Sequence, residues 1–141
     1  MTDINIQTSK GFTLIELVIA VFIVGILVAV AVPGYNDHVR RGYRADAQSA
    51  LMEAAILMEK HRTIRNTYAG ALANDVFKGQ VTIPPNSTAA TQQYALSIAA
   101  QGAGTFTLRA TPFNNQLNDE CGTMSLEASG ARSADEDECW N

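Results

Sequence analysis

The chain has 141 residues, enough for one domain, and a net charge of −4 with no long basic run, so its composition does not favour a nucleic-acid-binding protein. An enzyme is not favoured either, because no nucleophile has a base at the spacing of a catalytic motif. Neither a cofactor nor a metal site is therefore expected.

The charged side chains are unevenly distributed along the chain. Between Arg40 and Arg65 there are six Lys or Arg residues and three acids, whereas from Asp119 onward there are seven acids and only Arg132. This dipolar layout suits the association of identical copies, and an ordinary solvated surface is the alternative interpretation.

The first predicted element is a strongly apolar segment near the N-terminus. Residues 12–32 are apolar except for Thr13, Gly25 and one acid, Glu16. As a helix these 21 residues extend about 32 Å, enough for a bilayer core of about 30 Å. An acid in such a segment costs on the order of 3 kcal/mol on insertion scales. Glu16 is therefore expected either to reach the lipid headgroups or to meet a positive partner.

Two observations compete with a simple membrane anchor. Residues 29–31, Ala-Val-Ala, have the form that a conventional signal peptidase prefers, although the apolar run is longer than the usual 7–15 residues or so. Only Lys10 precedes the segment, whereas Arg40, Arg41 and Arg44 follow it, so the count of basic residues alone places the N-terminus outside.

The start of the segment, KGFTLIE at residues 10–16, resembles the class III signal of type IV prepilins and their pseudopilin relatives. In that family a prepilin peptidase cleaves after the glycine, on the cytoplasmic side, and methylates the new N-terminal residue. The resemblance therefore implies a leader of residues 1–11, cleavage between Gly11 and Phe12, and N-methylation of Phe12. It also implies a cytoplasmic N-terminus, against the count of basic residues.

The same resemblance gives Glu16 a role, because the fifth mature residue of the family is a glutamate. Cleavage frees an amine at Phe12, and Glu16 of one subunit can then face the amine of a neighbour. Each charge removes the other's burial penalty, so the pair fixes the register of the subunits. The helix-loosening glycine and the proline of the family are matched by Gly25 and Pro33.

Beyond Pro33 the helical pattern continues and becomes amphipathic. The sequence predicts one helix of about 50 residues that ends between His61 and Gly70, with a kink or soft joint at Pro33. His61 is interpreted as a half-buried helix residue rather than a catalytic one. The predicted apolar face consists of Tyr35, Val39, Tyr43, Ala47, Leu51, Ala54, Met58 and His61. The predicted polar face consists of Arg40, Arg41, Arg44, Gln48 and Lys60.

Shorter stretches sharpen the resemblance toward one kind of pilin. RADAQSALME at residues 44–53, EKH at 59–61 and YAG at 68–70 are similar to PilE-type minor pilins of type IV pilus assembly. CGTMSL at residues 121–126 and the terminal Cys-Trp at 139–140 point to the same family.

The second half of the chain predicts a loop followed by strands. Residues 68–93 are loop-like, Pro84-Pro85 excludes a central strand there, and the apolar residues 76–77 and 81–83 are expected to pack on the helix. Alternating apolar residues predict strands at 94–100, 105–111 and 122–127, with a short fourth at 131–133. The expected fold is thus α+β, the type IV pilin fold: a long N-terminal helix packed on a three- to four-stranded antiparallel sheet with a C-terminal disulfide loop.

The two cysteines, Cys121 and Cys139, lie near the C-terminus, and an even pair in an exported chain predicts a disulfide. A disulfide that closes a loop of that size stabilises a domain by about 3 kcal/mol in the chain-entropy model. In pilins such a region varies in its partner contacts. The acids at residues 135–138 lie inside it, and a calcium site is the minority interpretation against a solvated acidic strand.

The sequence therefore predicts a leader at residues 1–11, a transmembrane and filament-core helix at 12–34, and a periplasmic head at 35–141. The expected function is that of a minor pilin, a structural subunit that supports pilus assembly and pilus-dependent motility or adhesion. Expected partners are other pilins, the prepilin peptidase and the inner membrane, with an extracellular pilus as the final location and no nucleic acid.

Two further functions were weighed against that expectation. A type II secretion pseudopilin shares every N-terminal feature, but the cysteine pair and the terminal Cys139-Trp140 favour a pilus. A DNA-uptake pilin requires basic side chains on the head, and the acid excess of the C-terminal region opposes it.

Overall fold

A computed structural model describes residues 11–140 of the chain, so residues 1–10 of the predicted leader lie outside the described residues. The chain forms two compact units, the first ending at Asp37 and the second comprising His38–Asn141. The boundary that the sequence predicts between residues 34 and 35 stays a prediction.

One helix, α1 at Leu14–Arg65, runs through the predicted membrane segment and into the second unit. Gly25 and Pro33 both lie within it. Its end at Arg65 confirms the predicted end between His61 and Gly70, and Asn66 follows with a positive φ of 57°. A short helix, α2 at Ala73–Val76, comes next and was not predicted.

Within residues 11–140 the strands form a five-stranded antiparallel sheet in the order β1-β2-β3-β4-β5. The strands are β1 at Thr82–Ile83, β2 at Tyr94–Gln101, β3 at Phe106–Pro112, β4 at Met124–Glu127 and β5 at Arg132–Ser133. The predicted antiparallel pairing is confirmed, and the Gly102 N–H donates to the Thr105 carbonyl across the β2–β3 turn at 2.8 Å. Two 3₁₀ helices, at Asn114–Asn118 and Asp137–Cys139, complete the described chain.

The two-residue strand β1 was not predicted, because so short a strand has no readable alternation. Within the described residues it pairs only with β2, as an edge strand, and Pro84 directly follows it. The prediction that the two prolines exclude a central strand is therefore confirmed. Val76 and Phe77 pack in the core with 3% and 5% of their surface exposed.

The core of the second unit lies between one face of α1 and the inner face of the sheet. Ala47, Leu51, Ala54 and Met58 are fully buried, as their spacing of three and four predicts. The sheet contributes the alternating side chains Tyr94, Leu96, Phe106, Leu108, Ala110, Met124 and Leu126. The ring of Tyr68 meets that of Phe106 edge-on at 4.9 Å.

Three helix positions differ from the predicted faces. Tyr35 was placed on the apolar face but is 69% exposed. Arg44 and Gln48 were placed on the polar face, yet the Arg44 side chain is only 16% exposed and Gln48 is 9% exposed. Gln48 lies one turn before Leu51 and Arg44 lies one turn before Gln48, so both extend the edge of the apolar face and can reach across to the C-terminal segment.

Candidate processing and assembly site

The predicted cleavage junction lies immediately before α1. Gly11, Phe12 and Thr13 precede the first helical residue, Leu14, and Phe12 is 87% exposed. A protease needs an accessible backbone, and this junction lies outside the helix with exposed residues. Cleavage and methylation at Gly11 and Phe12 stay predictions.

Glu16 lies in the first turn of α1, where it forms a reciprocal capping arrangement with Thr13. The Glu16 carboxylate accepts from the Thr13 backbone N–H at 3.4 Å and from the Thr13 hydroxyl at 3.3 Å. The Thr13 hydroxyl accepts from the Glu16 N–H at 3.3 Å. Thr13 is the N-cap and Glu16 the third helical residue, the geometry of a capping box. The spacing Thr-x-x-Glu before an apolar run could have shown this role, and sequence reasoning missed it.

The apolar segment exposes its whole surface in the first unit. Every large apolar side chain from Phe12 to Val32 is at least 51% exposed, and a Cβ added at Gly25 would meet no atom within 4 Å. The segment is also long and apolar enough to cross a membrane by length and composition. Such a continuous apolar surface requires lipid or other protein to cover it.

At the C-terminal end of the second unit, Cys121 and Cys139 form the predicted disulfide. Their Cα atoms are 5.6 Å apart, and 0% and 3% of their surfaces are exposed. The bridge ties the start of the β4 hairpin to the last 3₁₀ helix. It thereby holds the terminal segment against the body of the head.

A buried polar network joins this disulfide region to α1. Arg44 donates to the buried carboxylate of Asp119 at 2.6 Å, and the same carboxylate oxygen accepts from the Cys121 N–H at 2.9 Å. The Gln48 side-chain amide donates to the Cys139 carbonyl. Sequence reasoning missed this network, because its members lie far apart along the chain.

Gln116 extends the network toward the sheet. Its side-chain nitrogen lies within hydrogen-bond distance of the Tyr94 hydroxyl (3.1 Å), the Arg40 carbonyl (3.2 Å) and Asp119, and these three acceptors share its two N–H groups. Burial raises the pKa of Tyr94 to about 12, and the nearby charge of Asp119 acts in the same direction. The phenol therefore stays protonated to a higher pH than that of an ordinary tyrosine.

Among the side chains that the structure describes, no group of three or more His, Cys, Asp or Glu is placed to hold an ion. Asp135, Glu136 and Glu138 are exposed. Glu136 and Glu138 line a groove of about 700 Å³ together with Glu120, and the facing wall is formed by Arg41, Arg44, Ala45 and Gln48.

The predicted site residues fall into two groups. Gly11, Phe12 and Glu16 lie together at the start of α1 in the first unit, and Gly25 and Pro33 lie further along the same unit. Cys121 and Cys139 lie together in the second unit.

Comparisons with known proteins agree with this architecture. Residues 33–125 match the family model described as "Type IV minor pilin ComP, DNA uptake sequence receptor", and residues 6–32 match the prokaryotic N-terminal methylation motif. A type IV pilin structure from Shewanella oneidensis is 30% identical, covers 72% of this chain and 98% of its own, and superposes with a TM-score of 0.52. The minor pilin PilV of Neisseria meningitidis, at 18% identity and a TM-score of 0.52, covers 69% of this chain and 87% of its own and shares the fold.

Curated relatives match over stretches of different length. The fimbrial protein EcpC of Eikenella corrodens is 54% identical over 41 residues, which are 29% of this chain and 27% of EcpC. A fimbrial protein of Neisseria meningitidis is 32% identical over 115 residues, 77% of this chain and 60% of the relative. The chain thus spans about a quarter of EcpC and less than two thirds of the Neisseria protein. From the match that covers most of the head, together with the methylation motif before it, the chain belongs to the type IV pilins, in the minor pilin family of ComP.

Proposed function

We propose that this chain is a minor pilin that is cleaved between Gly11 and Phe12, methylated at Phe12, and incorporated with other pilins into a type IV pilus. The leader is residues 1–11, the inner-membrane and filament-core helix is residues 12–34, and the periplasmic head is residues 35–141. The observation that carries the proposal is the exposed apolar half of α1, which begins directly at the capped turn of Thr13 and Glu16. The family that the chain belongs to supports the same role.

The exposed segment gives the proposal a physical sequence of events. Before assembly, lipid covers the apolar side chains of residues 12–32, with the N-terminus in the cytoplasm. On assembly, the helices of neighbouring pilins replace the lipid, and van der Waals packing between them favours the filament. Gly25 and Pro33 lie inside the helix that has to change surroundings, and we assign them the role of loosening it.

Glu16 supplies the registration charge in this proposal. Its carboxylate is exposed in the isolated chain and is engaged only by Thr13 among the described residues. A carboxylate buried among apolar helices requires a positive partner, and the methylated amine of Phe12 on a neighbouring subunit is one that cleavage itself creates. The chain would support motility and adhesion through its place in the assembled pilus. We identify no catalytic arrangement in the described residues.

A second candidate function is binding of DNA, favoured by one observation: the matching family model is described as a DNA uptake sequence receptor. The charge of this head weakens that candidate, because acids surround the disulfide region. Arg109 is the exposed cation most suited to a phosphate, since it lies on the outer face of β3 between Ser97 and Ser125 of the neighbouring strands. The type II secretion pseudopilin is a third candidate, which the Cys121–Cys139 disulfide disfavours.

The pilus proposal is tested by deleting the gene and restoring it with a tagged chain, then measuring the tagged chain in sheared pili against the membrane fraction. We expect the chain in both fractions. A chain that stays in the membrane while pili form normally contradicts the proposal.

The DNA candidate is tested separately with the detergent-solubilised full chain and a fluorescent duplex. Binding that weakens steeply with salt and is lost in Arg109→Ala supports it, and Lys78→Ala is the control because Lys78 pairs with Glu53. Absence of binding at low salt removes this candidate and leaves the pilus proposal intact.

A further inference from the structure

The groove beside the disulfide reaches the two cysteines unequally. It has a volume of about 700 Å³ and lies between α1 and the segment that carries Glu136 and Glu138. Cys139 is one of its lining residues, whereas Cys121 is not among the described residues that line it. In thiol–disulfide exchange the attacking thiolate has to reach one sulfur of the bridge, so access selects which sulfur reacts. The groove therefore offers an approach to Cys139 that Cys121 lacks.

The backbone around Cys121 is held on both sides. Its N–H donates to the Asp119 carboxylate at 2.9 Å, and its carbonyl accepts from the Asp135 N–H at 3.1 Å. Asp119 is bound in turn to Arg44 of α1. Cys121 is fully buried, and β4, which begins three residues later, is paired with β3. Exposure of the Cys121 sulfur therefore requires the centre of the head to open.

Cys139 is attached to the head by fewer contacts. It lies in the three-residue 3₁₀ helix Asp137–Cys139, and its N–H donates to the Glu136 carbonyl at the start of that helix, at 3.2 Å. Apart from the bridge, its one hydrogen bond to another element within the described residues is the bond from Gln48 to its carbonyl. Segments with few contacts to the core open locally at a lower free energy than the core itself. Small movements of this helix can therefore present the Cys139 sulfur to the groove while Cys121 stays buried.

We propose that Cys139 is the cysteine through which thiol–disulfide exchange enters this head, and that Cys121 is the resolving cysteine. When the bridge forms, the Cys139 thiolate attacks one sulfur of an external disulfide. This attack releases one external thiolate and leaves a mixed disulfide on Cys139. The Cys121 thiolate then attacks the Cys139 sulfur, which closes the bridge and releases the second external thiolate.

The exchange is balanced in electrons and protons. The two thiols of the chain are oxidised to one disulfide, and the external disulfide is reduced to two thiols. The protons that Cys121 and Cys139 lose are taken up, through solvent, by the two released thiolates. Opening of the bridge by an external thiol follows the same steps in reverse, with the first attack on the Cys139 sulfur. The pilus role and this order of exchange are independent, because the exchange involves the head of one chain only.

Gln48 acts as a positioning residue for the exchange. It lines the groove with 9% of its surface exposed, and its side-chain amide donates to the Cys139 carbonyl. This bond holds Cys139 against α1, so a mixed disulfide on Cys139 is returned to Cys121 when the 3₁₀ helix docks. Loss of the bond is expected to free Cys139 and to leave Cys121 in place.

The test opens the bridge of the oxidised full chain in detergent with mercaptoethanol, which carries no charge besides its reacting thiolate. N-ethylmaleimide caps the cysteine that is released, and peptide mass spectrometry locates both groups, while circular dichroism shows that the head stays folded. We expect the mercaptoethanol adduct on Cys139 to exceed that on Cys121 by about tenfold. In urea, where the chain is unfolded, the two adducts should differ by less than about twofold. Equal adducts in the folded chain, or an excess on Cys121, overturn the proposal.

Gln48→Leu tests the positioning role in the same assay. We expect it to raise the rate of adduct formation on Cys139 about fivefold and to leave the rate on Cys121 unchanged. Gln80→Leu is the matched control, because it makes the same change at an exposed side chain that does not line the groove. An equal rise at both cysteines in Gln48→Leu would mean that the whole head had loosened. That result, or a rate on Cys139 equal to that of the control, contradicts the role of Gln48.

Discussion

The carboxylate of Glu16 accepts hydrogen bonds from the backbone and the hydroxyl of Thr13, and the Thr13 hydroxyl accepts one from the Glu16 N–H. Cleavage at the predicted junction leaves Thr13 as the second residue of the mature chain. The capping box therefore keeps the first turn of α1 helical directly after the new N-terminus. Glu16 caps the helix within the chain, and we propose that it also acts as a charge between subunits.

Substitutions at Thr13 and Glu16 separate these functions. Glu16→Gln keeps an acceptor for the cap and removes the charge, so we expect normal processing and membrane insertion but low incorporation into pili, as for Glu16→Ala. Thr13→Val removes the cap, at a cost of about 1 kcal/mol to the helix, and keeps the charge, so incorporation stays closer to that of the unaltered chain. Quantitative blotting of sheared pili measures the incorporation of each variant. Normal incorporation of Glu16→Gln contradicts the registration role.

The pair of Arg44 and Asp119 is expected to stabilise the head more than an exposed ion pair does. The Asp119 side chain is fully buried, so Arg44→Met leaves an uncompensated charge and costs about 3 kcal/mol. Lys78→Met is the matched control, because Lys78 and Glu53 are 59% and 58% exposed and their pair contributes at most about 1 kcal/mol. Urea unfolding of the head, followed by Trp140 fluorescence in the detergent-solubilised chain, measures both. Equal losses would mean that burial of Asp119 has no energetic consequence.

Gly122 is expected to lose stability on substitution, because its backbone is left-handed and the exposed Asp135 side chain has to rotate away to make room. Its φ is +52°, and the Asp135 carboxylate occupies the position that a Cβ would take. Gly130, with φ +82° and no atom within 4 Å of an added Cβ, isolates the cost of the left-handed backbone, about 1 kcal/mol on substitution by alanine. Gly122→Ala should lower the unfolding midpoint more than Gly130→Ala, and Gly104→Ala should leave it nearly unchanged. A midpoint for Gly122→Ala equal to that for Gly130→Ala would mean that displacing the Asp135 side chain costs nothing.

Tyr94 is expected to make the stability of the head fall with pH in the alkaline range. Its pKa is raised to about 12 in the folded chain, against about 10 in the unfolded chain. Above pH 10 the unfolded chain loses this proton while the folded chain retains it, so the contribution is complete below pH 10 and is lost as pH rises toward 12. The loss amounts to about 2 kcal/mol. The free energy of unfolding, measured from pH 9 to 12, should fall less steeply with pH in Tyr94→Phe than in the unaltered chain. Identical slopes would exclude this role of Tyr94.

Local patterns predicted the elements whose evidence is local. The spacing of Ala47, Leu51, Ala54 and Met58 defines the buried helix face, and alternation defines β2 and β3. Both signals arise because the backbone period alone selects which side chains share a face. The class III signal and the cysteine pair were likewise readable from short motifs.

Features that depend on distant partners were not predictable in this way. Arg44 and Gln48 were assigned to the polar face because their side chains are polar. Their partners, Asp119 and the Cys139 carbonyl, lie 75 and 91 residues further along the chain, so no local pattern could show that they are buried. The edge strand β1 is only two residues long and exists through its pairing with β2. The capping box is the exception, since Thr13 and Glu16 are local and their spacing displays the motif.

Mass spectrometry of the N-terminal peptide of the chain from sheared pili decides whether this chain is processed as a pilin. We expect a mature chain that begins at Phe12 and carries an N-methyl group. An unprocessed start at Met1, or a start at Val32 after cleavage behind the Ala-Val-Ala of residues 29–31, would contradict it.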